Sequence, residues 1–378
     1  MNNPITVEPV TTARELQQFI MFPYRLYRKL LKNPFWAPPL IIDEKNQFNH
    51  KKNPFYRHAE EALFLAYRDK EIVGRIAGYI DLLHHKYREP LVAYFGFFET
   101  IPDETVAHAL FDKVCDWAKN KGMHKLIGPI NQSTNDMLGM LINDFNGVPM
   151  VKVPYNPDYY LRFTESYGFE KEKDHLAFIV RKGEIELSDK IKRVVNLVQR
   201  NKRVLVRQVD MKHYWDEVKI AKEIYNKAWE NNSDFVPWQD DEFMYKAKDL
   251  KLAIIPEATY LAFVDGKPAG ISISLNNFNE IFVKMNGRLL PSGIFKLLFG
   301  LKKIKQLRLA IMGVLPEYRQ MGLDAVFVYK TYETGIKLGY EAGELSVILE
   351  DNWPLINLLN KWGVPVYRTY RVYRKKLT

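Results

Sequence analysis

The apolar positions of this chain change period most sharply in one stretch, QLRLAIMGVLPEYRQMGLDAVF from Gln306. Leu307, Leu309, Ile311, Val314 and Leu315 make an apolar run of strand length. Pro316 ends it, because proline has no N–H to give a ladder. After the turn from Glu317 to Gly322 the period becomes helical, with Ala325, Val326, Val328, Tyr329 and Tyr332 along one side. A turn that enters a helix presents unpaired N–H groups and the positive end of the helix dipole. Gly322 would let the backbone approach an anion closely.

The same kind of pattern runs along the rest of the chain. Ile5–Val10 reads as an edge strand, and Thr12 with Glu15 as a capping box for the next helix. Ala62–Tyr67 and Ile72–Ile80 are two strands about the turn from Arg68 to Glu71. A strand over Val92–Glu99, a helix begun by Asp103 or Thr105 and running through Lys121, and a strand from Leu126 follow. The second half begins with a strand, Val204–Val209, and helices Tyr214–Glu230 and Asp240–Leu252. Tyr260–Val264 and Ala269–Leu275 then pair about Asp265–Gly266, a strong hairpin signal. A helix over Asp324–Leu338, a strand over Glu344–Leu349, a helix capped by Asn352 and a strand over Tyr367–Lys375 complete it. The order of elements repeats, and FLAYRDKEIVGRIAGYI at Phe64 parallels YLAFVDGKPAGISISL at Tyr260. The expected fold is α/β, of the α+β type with mixed sheets, built by domain duplication. The boundaries read as 1–182, a connecting helix over 183–202, and 203–378.

Bulk properties narrow the function classes. At 378 residues the chain is long for one core, which suits two domains. A formal charge of +10 favours anionic partners without choosing among them. Cys115 is the only cysteine, so no disulfide forms within the chain and no cysteine cluster binds metal. No basic region followed by an apolar core opens the sequence, and no apolar run reaches the roughly 18 residues of a membrane span. The expectation is a cytoplasmic protein without stable membrane insertion. The basic, amphipathic stretch from Pro291 to Arg308 reads either as cover for a sheet or as a membrane-surface segment. His84 and His85, read as strand neighbours, would point to opposite faces, and no metal-binding spacing occurs. There is no nucleophile elbow, P-loop or nucleic-acid-binding motif.

The stretch around Arg319 resembles motif A of the GNAT acetyltransferase superfamily, in which a strand ends V-x-P-x-x-R and enters an [RQ]-x-x-G-x-[GA] loop. Arg319 and Gly322 match, and Asp324 stands where the family has Gly or Ala. Asn352, Ile356, Leu358, Lys361 and Gly363 match the motif B pattern N-x-x-A-I-x-L-Y-x-K-x-G-F. Leu355, Leu359 and Val364 depart from it. The first half ends Ser166-Tyr167-Gly168-Phe169 before a strand, similar to the close of a GNAT domain, but no R-x-x-G-x-G turn follows Glu99. The resemblance implies two tandem GNAT-like acyl-CoA N-acyltransferase domains, the N-terminal one lacking the acyl-CoA loop.

It also implies a chemistry, in which an amine attacks an acyl-CoA thioester directly. The backbone of Met312, Gly313 and Val314 would hold the pantetheine and polarise the thioester carbonyl. The N–H groups of Gln320, Met321, Gly322 and Leu323, with the Arg319 side chain, would hold the pyrophosphate. Asn352 would contact the pantetheine or order a water. Glu344 is the candidate base. Leu359 replaces the family's proton-donating tyrosine, which leaves Tyr367 or Tyr370 for that role. Acetyl-CoA or another acyl-CoA is the expected co-substrate, with no metal and a small-molecule or peptide amine as acceptor; a homodimer is one assembly open to the chain. Two alternatives stand beside this reading. One is a non-catalytic acyl-CoA or small-ligand binding protein made from worn GNAT domains. The other is aminoacyl transfer from tRNA, the one nucleic acid the basic charge would suit.

Overall fold

A computed structural model of the chain describes residues 4–88, 91–185, 189–232, 235–291 and 293–377. Residues 186–188, inside the expected connecting segment, lie outside the described residues. The first half runs β1 (Thr6–Pro9), α1 (Ala13–Arg25), α2 (Ile41–Gln47), β2 (Ala59–Arg68), β3 (Glu71–Asp81), α3 (Leu82–Tyr87) and β4 (Val92–Thr100). It continues as α4 (Glu104–Asn120), β5 (Lys125–Gly128), β6 (Met140–Leu141), α5 (Tyr159–Ser166) and β7 (Glu170–Arg181). After α6 (Asp189–Arg200) come β8 (Val204–Gln208), α7 (Tyr214–Trp229), α8 (Asp240–Leu250), β9 (Tyr260–Val264) and β10 (Lys267–Asn276). Then follow α9 (Asn279–Phe282), α10 (Gly293–Leu301), β11 (Gln306–Val314), α11 (Leu323–Lys337), β12 (Ala342–Leu349), α12 (Trp353–Lys361) and β13 (Val366–Lys376). Each half therefore carries strand, two helices, a hairpin, then strand, helix, strand, helix, strand, with α3 and β6 added in the first half and α9 and α10 in the second.

Local chemistry explains the best-defined elements. Thr12 and Glu15 close the capping box of α1: Glu15 N–H donates to Thr12 Oγ1 at 3.2 Å and Thr12 N–H to Glu15 Oε2 at 2.9 Å. Both hairpin turns place their two central residues in the left-handed region, Asp69 and Lys70 at φ 51° and 66°, Asp265 and Gly266 at 50° and 76°. That is the turn whose twist matches paired strands. His84 and His85 do not lie on a strand. Asp81 Oδ1 accepts from the N–H groups of Leu83 and His84 and starts the short helix α3 that contains both.

The residues cluster into two compact units, one of 1–175, 279–297 and 369–378, the other of 176–278 and 298–368. The first unit has a mixed sheet ordered β1-β2-β3-β4-β5-β13, with β4 and β5 parallel and the other pairs antiparallel. Leu110, Phe111 and Val114 of α4 pack on it together with Phe95, Phe98 and Phe169. The second unit has a mixed sheet ordered β12-β11-β10-β9-β8, with only β11 and β12 parallel. Val328 of α11 and Ile356 and Leu359 of α12 pack on one face against Leu309 and Leu345. Helices α7 and α8 pack against Leu261, Ile271 and Leu315.

Candidate functional site

The second unit contains a fork between its two parallel strands. Their ladder runs from Gln306↔Ala342 to Leu309↔Leu345 and stops there, although β11 continues to Val314 and β12 to Leu349. The cause is visible in the neighbouring pair. Between β10 and β11 the register passes from Ile273↔Ile311 to Ser274↔Leu309, so Ala310 is an extra residue. Such a bulge bends its strand and re-aims the residues after it. Met312, Gly313 and Val314 then pair with β10, and among the described residues their other edge is not laddered to β12. Trp229 of α7 lies directly over this segment: a Cβ on Gly313 would stand 2.3 Å from its ring.

Beyond the fork, a 3₁₀ turn over Pro316–Met321 leads through Gly322, at φ 73°, into α11. The Arg319 guanidinium donates to the carbonyls of Ala228 at 2.8 Å and Val314 at 3.3 Å. Asp324 sits at the helix N-terminus. Burial pushes its carboxyl above the ordinary range, while the N–H groups of Ala325 and Asp324 pull it back. Val198 of α6 stands 3.3 Å from where a Gly322 Cβ would be. The turn is thus a helix N-terminus whose first donors already face a carboxyl of the chain itself.

At the apex of the fork lies a buried polar cluster. Glu344 is fully buried and accepts from the Tyr367 hydroxyl and from the Ser346 hydroxyl. Arg308, itself buried, donates from Nε to Ser346 Oγ and from Nη2 to Ser346 O, each at 2.9 Å. Burial pushes the Glu344 carboxyl up. Arg308, Ser346, Tyr367 and Arg368 pull it down and offset only part of that shift. The structure therefore brings Glu344 and Tyr367 together, whereas Tyr370 is paired with Leu141 in the first unit. Asn352 caps α12, its side chain accepting from Leu355 N–H at 3.4 Å. Leu359 is wholly buried in the core.

An apolar cleft of about 620 Å³, open solvent included, lies under α11 and is walled by Leu307, Leu309, Thr331, Gly335 and Trp362. Side chains alternate along a strand, so Glu344 and Ser346 face away from Leu345, although Glu344 also borders this cleft. Among the described residues no group of three or more His, Cys, Asp or Glu could hold a metal ion. Among them too, no helix is long and apolar enough to cross a membrane.

No protein-family model matches the chain. It is 34% identical to the bacterial ceramide synthase of Caulobacter vibrioides over 389 aligned residues, which take in 100% of this chain and 98% of that protein. This chain belongs to the same family as that synthase. It is also 32% identical to protein YghO of Escherichia coli, over 98% of this chain and 95% of the other. Among solved structures it resembles a tandem GNAT protein from the clavulanic acid biosynthesis pathway, with a TM-score of 0.57, 11% identity and 99% of both chains covered. A GCN5-related N-acetyltransferase from Sphaerobacter thermophilus superposes with a TM-score of 0.53 at 11% identity, over 99% and 97% of the two chains. The fold is that of a tandem GNAT protein.

The first unit of this family member holds a second polar centre that the sequence pattern did not single out. Glu99, at the end of β4, accepts from the hydroxyls of Tyr160 at 2.7 Å and Tyr27 at 2.8 Å. Burial pushes its carboxyl up to about 6, against the pull of Arg75 and the two tyrosines. The Arg75 guanidinium lies over the Phe19 ring at 4.9 Å and donates to Phe19 O at 2.9 Å. The one hint in the sequence is the density of tyrosines, Tyr27 and the pair Tyr159–Tyr160, around chain segments far apart in order. Its consequence for stability has a definite sign. The folded carboxyl binds its proton more tightly than the unfolded one, so this group's contribution is fully present below pH 4.5 and is lost as pH rises through about 6. Glu99→Gln should remove that slope. Urea midpoints across this pH range check it, and a slope unchanged by the substitution contradicts it.

Proposed function

We propose that the protein is an N-acyltransferase that moves an acyl group from acyl-CoA to the amine of a long-chain lipid base. The observation that carries the chemical part is the buried Glu344–Tyr367 pair at the apex of the β11–β12 fork. The lipid acceptor rests on the name of the Caulobacter relative. The unladdered edge of Met312–Val314 suits a pantetheine arm, and an N–H there would polarise the thioester carbonyl. The amine nitrogen attacks the carbonyl carbon, a C–N bond forms and the C–S bond breaks. Ionised Glu344 takes one amine proton. The departing thiolate takes a proton from Tyr367, and Glu344 replaces it with the one it took. A carboxyl raised by burial is a stronger base than an exposed one, which is the condition this step requires.

The turn at Gly322 receives the diphosphate in this reading. Burial favours the neutral form of Asp324, which lowers its repulsion for an anion without removing it. Asp324→Gly should tighten CoA binding about two- to fivefold, the usual worth of a like charge at a helix N-terminus. Calorimetric titration with CoA checks this, and weaker binding in the variant would show that the carboxyl builds the site instead. The competing reading is a binding protein that has lost catalysis. The engagement of Arg319 by two backbone carbonyls favours it. Release of free thiol from long-chain acyl-CoA in the presence of a long-chain amine tests between them. Heat of CoA binding with no thiol release supports the binding protein.

A further inference from the structure

Helix α10 has no role in the site above, and its surface is unusual. Its sequence, GIFKLLFGL, carries six large apolar side chains and one charge. Most of the large ones face solvent: Phe299 is 73% exposed, Phe295 60% and Leu298 58%, with Ile294 and Leu301 also exposed and Leu290 just before the helix at 70%. At 3.6 residues per turn, positions 294, 295, 298, 299 and 301 span an arc of about 160°. A soluble helix normally turns such an arc inward. An exposed apolar patch of this kind marks a surface that meets another phase or partner.

The charges around the helix say which. Between Glu280 and Glu317 the sequence has no acidic residue, and Lys284, Arg288, Lys296, Lys302, Lys303 and Lys305 lie in that interval together with the buried Arg308. Lys302 and Lys303 are exposed at the C-terminal end of α10. An apolar arc bordered by lysines is the composition of a helix that lies in the plane of a bilayer interface, with rings in the acyl boundary and ammonium groups among anionic headgroups. We propose that α10 docks the protein on the surface of an anionic membrane. Helix α10 has nine residues, too few to span, so the attachment is peripheral and reversible. The inference stands on α10 alone and holds whether or not the acyl-transfer reading does.

The test is sedimentation of the full chain with two kinds of vesicle, phosphatidylcholine alone and phosphatidylcholine containing phosphatidylglycerol. The wild-type protein should pellet with the anionic vesicles and be released by added salt. Phe295→Ser with Phe299→Ser should lower partitioning about tenfold or more, with the thermal midpoint little changed because both side chains are already mostly exposed. Lys302→Glu with Lys303→Glu should abolish the preference for the anionic vesicles. Three results would overturn the proposal: wild-type protein that stays in the supernatant with both vesicles, partitioning that neither double variant alters, or a wild-type oligomer that the double serine variant converts to monomer.

Discussion

Glu344→Gln is expected to lower turnover by about a hundred- to ten-thousand-fold while leaving the protein folded. The magnitude is that of losing a positioned general base. The substitution keeps the size of the side chain and one acceptor oxygen, and the amide NH2 can donate to whichever of the Tyr367 and Ser346 hydroxyls then turns to accept, so the cluster around Arg308 can persist. Stability should respond in the opposite sense to activity. The folded carboxyl of Glu344 is raised above its ordinary value. Its contribution is therefore fully present below the unfolded pKa and is lost as pH rises through the folded one. At neutral pH a neutral amide escapes that loss, and the variant should be at least as stable as the wild type. A purely structural Glu344 gives the reverse pattern, lower stability with turnover unaffected. The wild-type rate should rise with pH through the raised Glu344 value, since only the ionised form accepts a proton. Tyr367→Phe and Ser346→Ala each remove a donor that lowers that value, so both should move the rising limb to higher pH.

Phe111→Ala is expected to destabilise the first unit by about 3–5 kcal/mol, the range for deleting a buried aromatic ring. Phe111 is wholly buried, stacks on Phe98 at 4.6 Å and meets Phe169 at 5.0 Å and Phe95 edge-on at 5.7 Å. The rings around it come from β4 and from the residue just before β7, so no single rotation refills the hole. The two units have separate cores, and α4 belongs to the first. Calorimetry should show the first unit's transition moving down while the second unit's stays in place. A shift of less than about 1 kcal/mol, or an equal shift of all heat absorption, contradicts this account of the core.

How much of this could be read from the residues depends on how local the cause is. The capping box at Thr12, the two hairpin turns and the strand-to-helix turn at Gly322 are decided by neighbours within a few positions, and each is where the pattern put it. The duplication followed from the order of such local signals. His84 and His85 were misplaced because a short apolar run cannot separate strand from helix, although Asp81 offered a cap that could have decided it. The Glu344 cluster was beyond local reading. The family resemblance names Glu344 and Tyr367 one by one, but only the topology brings Glu344 to Arg308, 36 positions earlier, and Tyr367, 23 positions later. Glu99 escaped for the same reason, since Tyr27 and Tyr160 reach it from two other elements. The bulge at Ala310 and the Trp229 ring over Gly313 are likewise facts of pairing and packing, invisible in a one-dimensional pattern.

Amide hydrogen exchange with and without CoA tests the central claim most directly, because it reads the backbone groups that the claim assigns. Addition of CoA should slow exchange at Met312, Gly313 and Val314 and across Gln320–Leu323, and leave the first unit's β4 unchanged. Protection confined to the first unit, or none in either segment at saturating CoA, would mean that the fork between β11 and β12 does not hold the acyl donor.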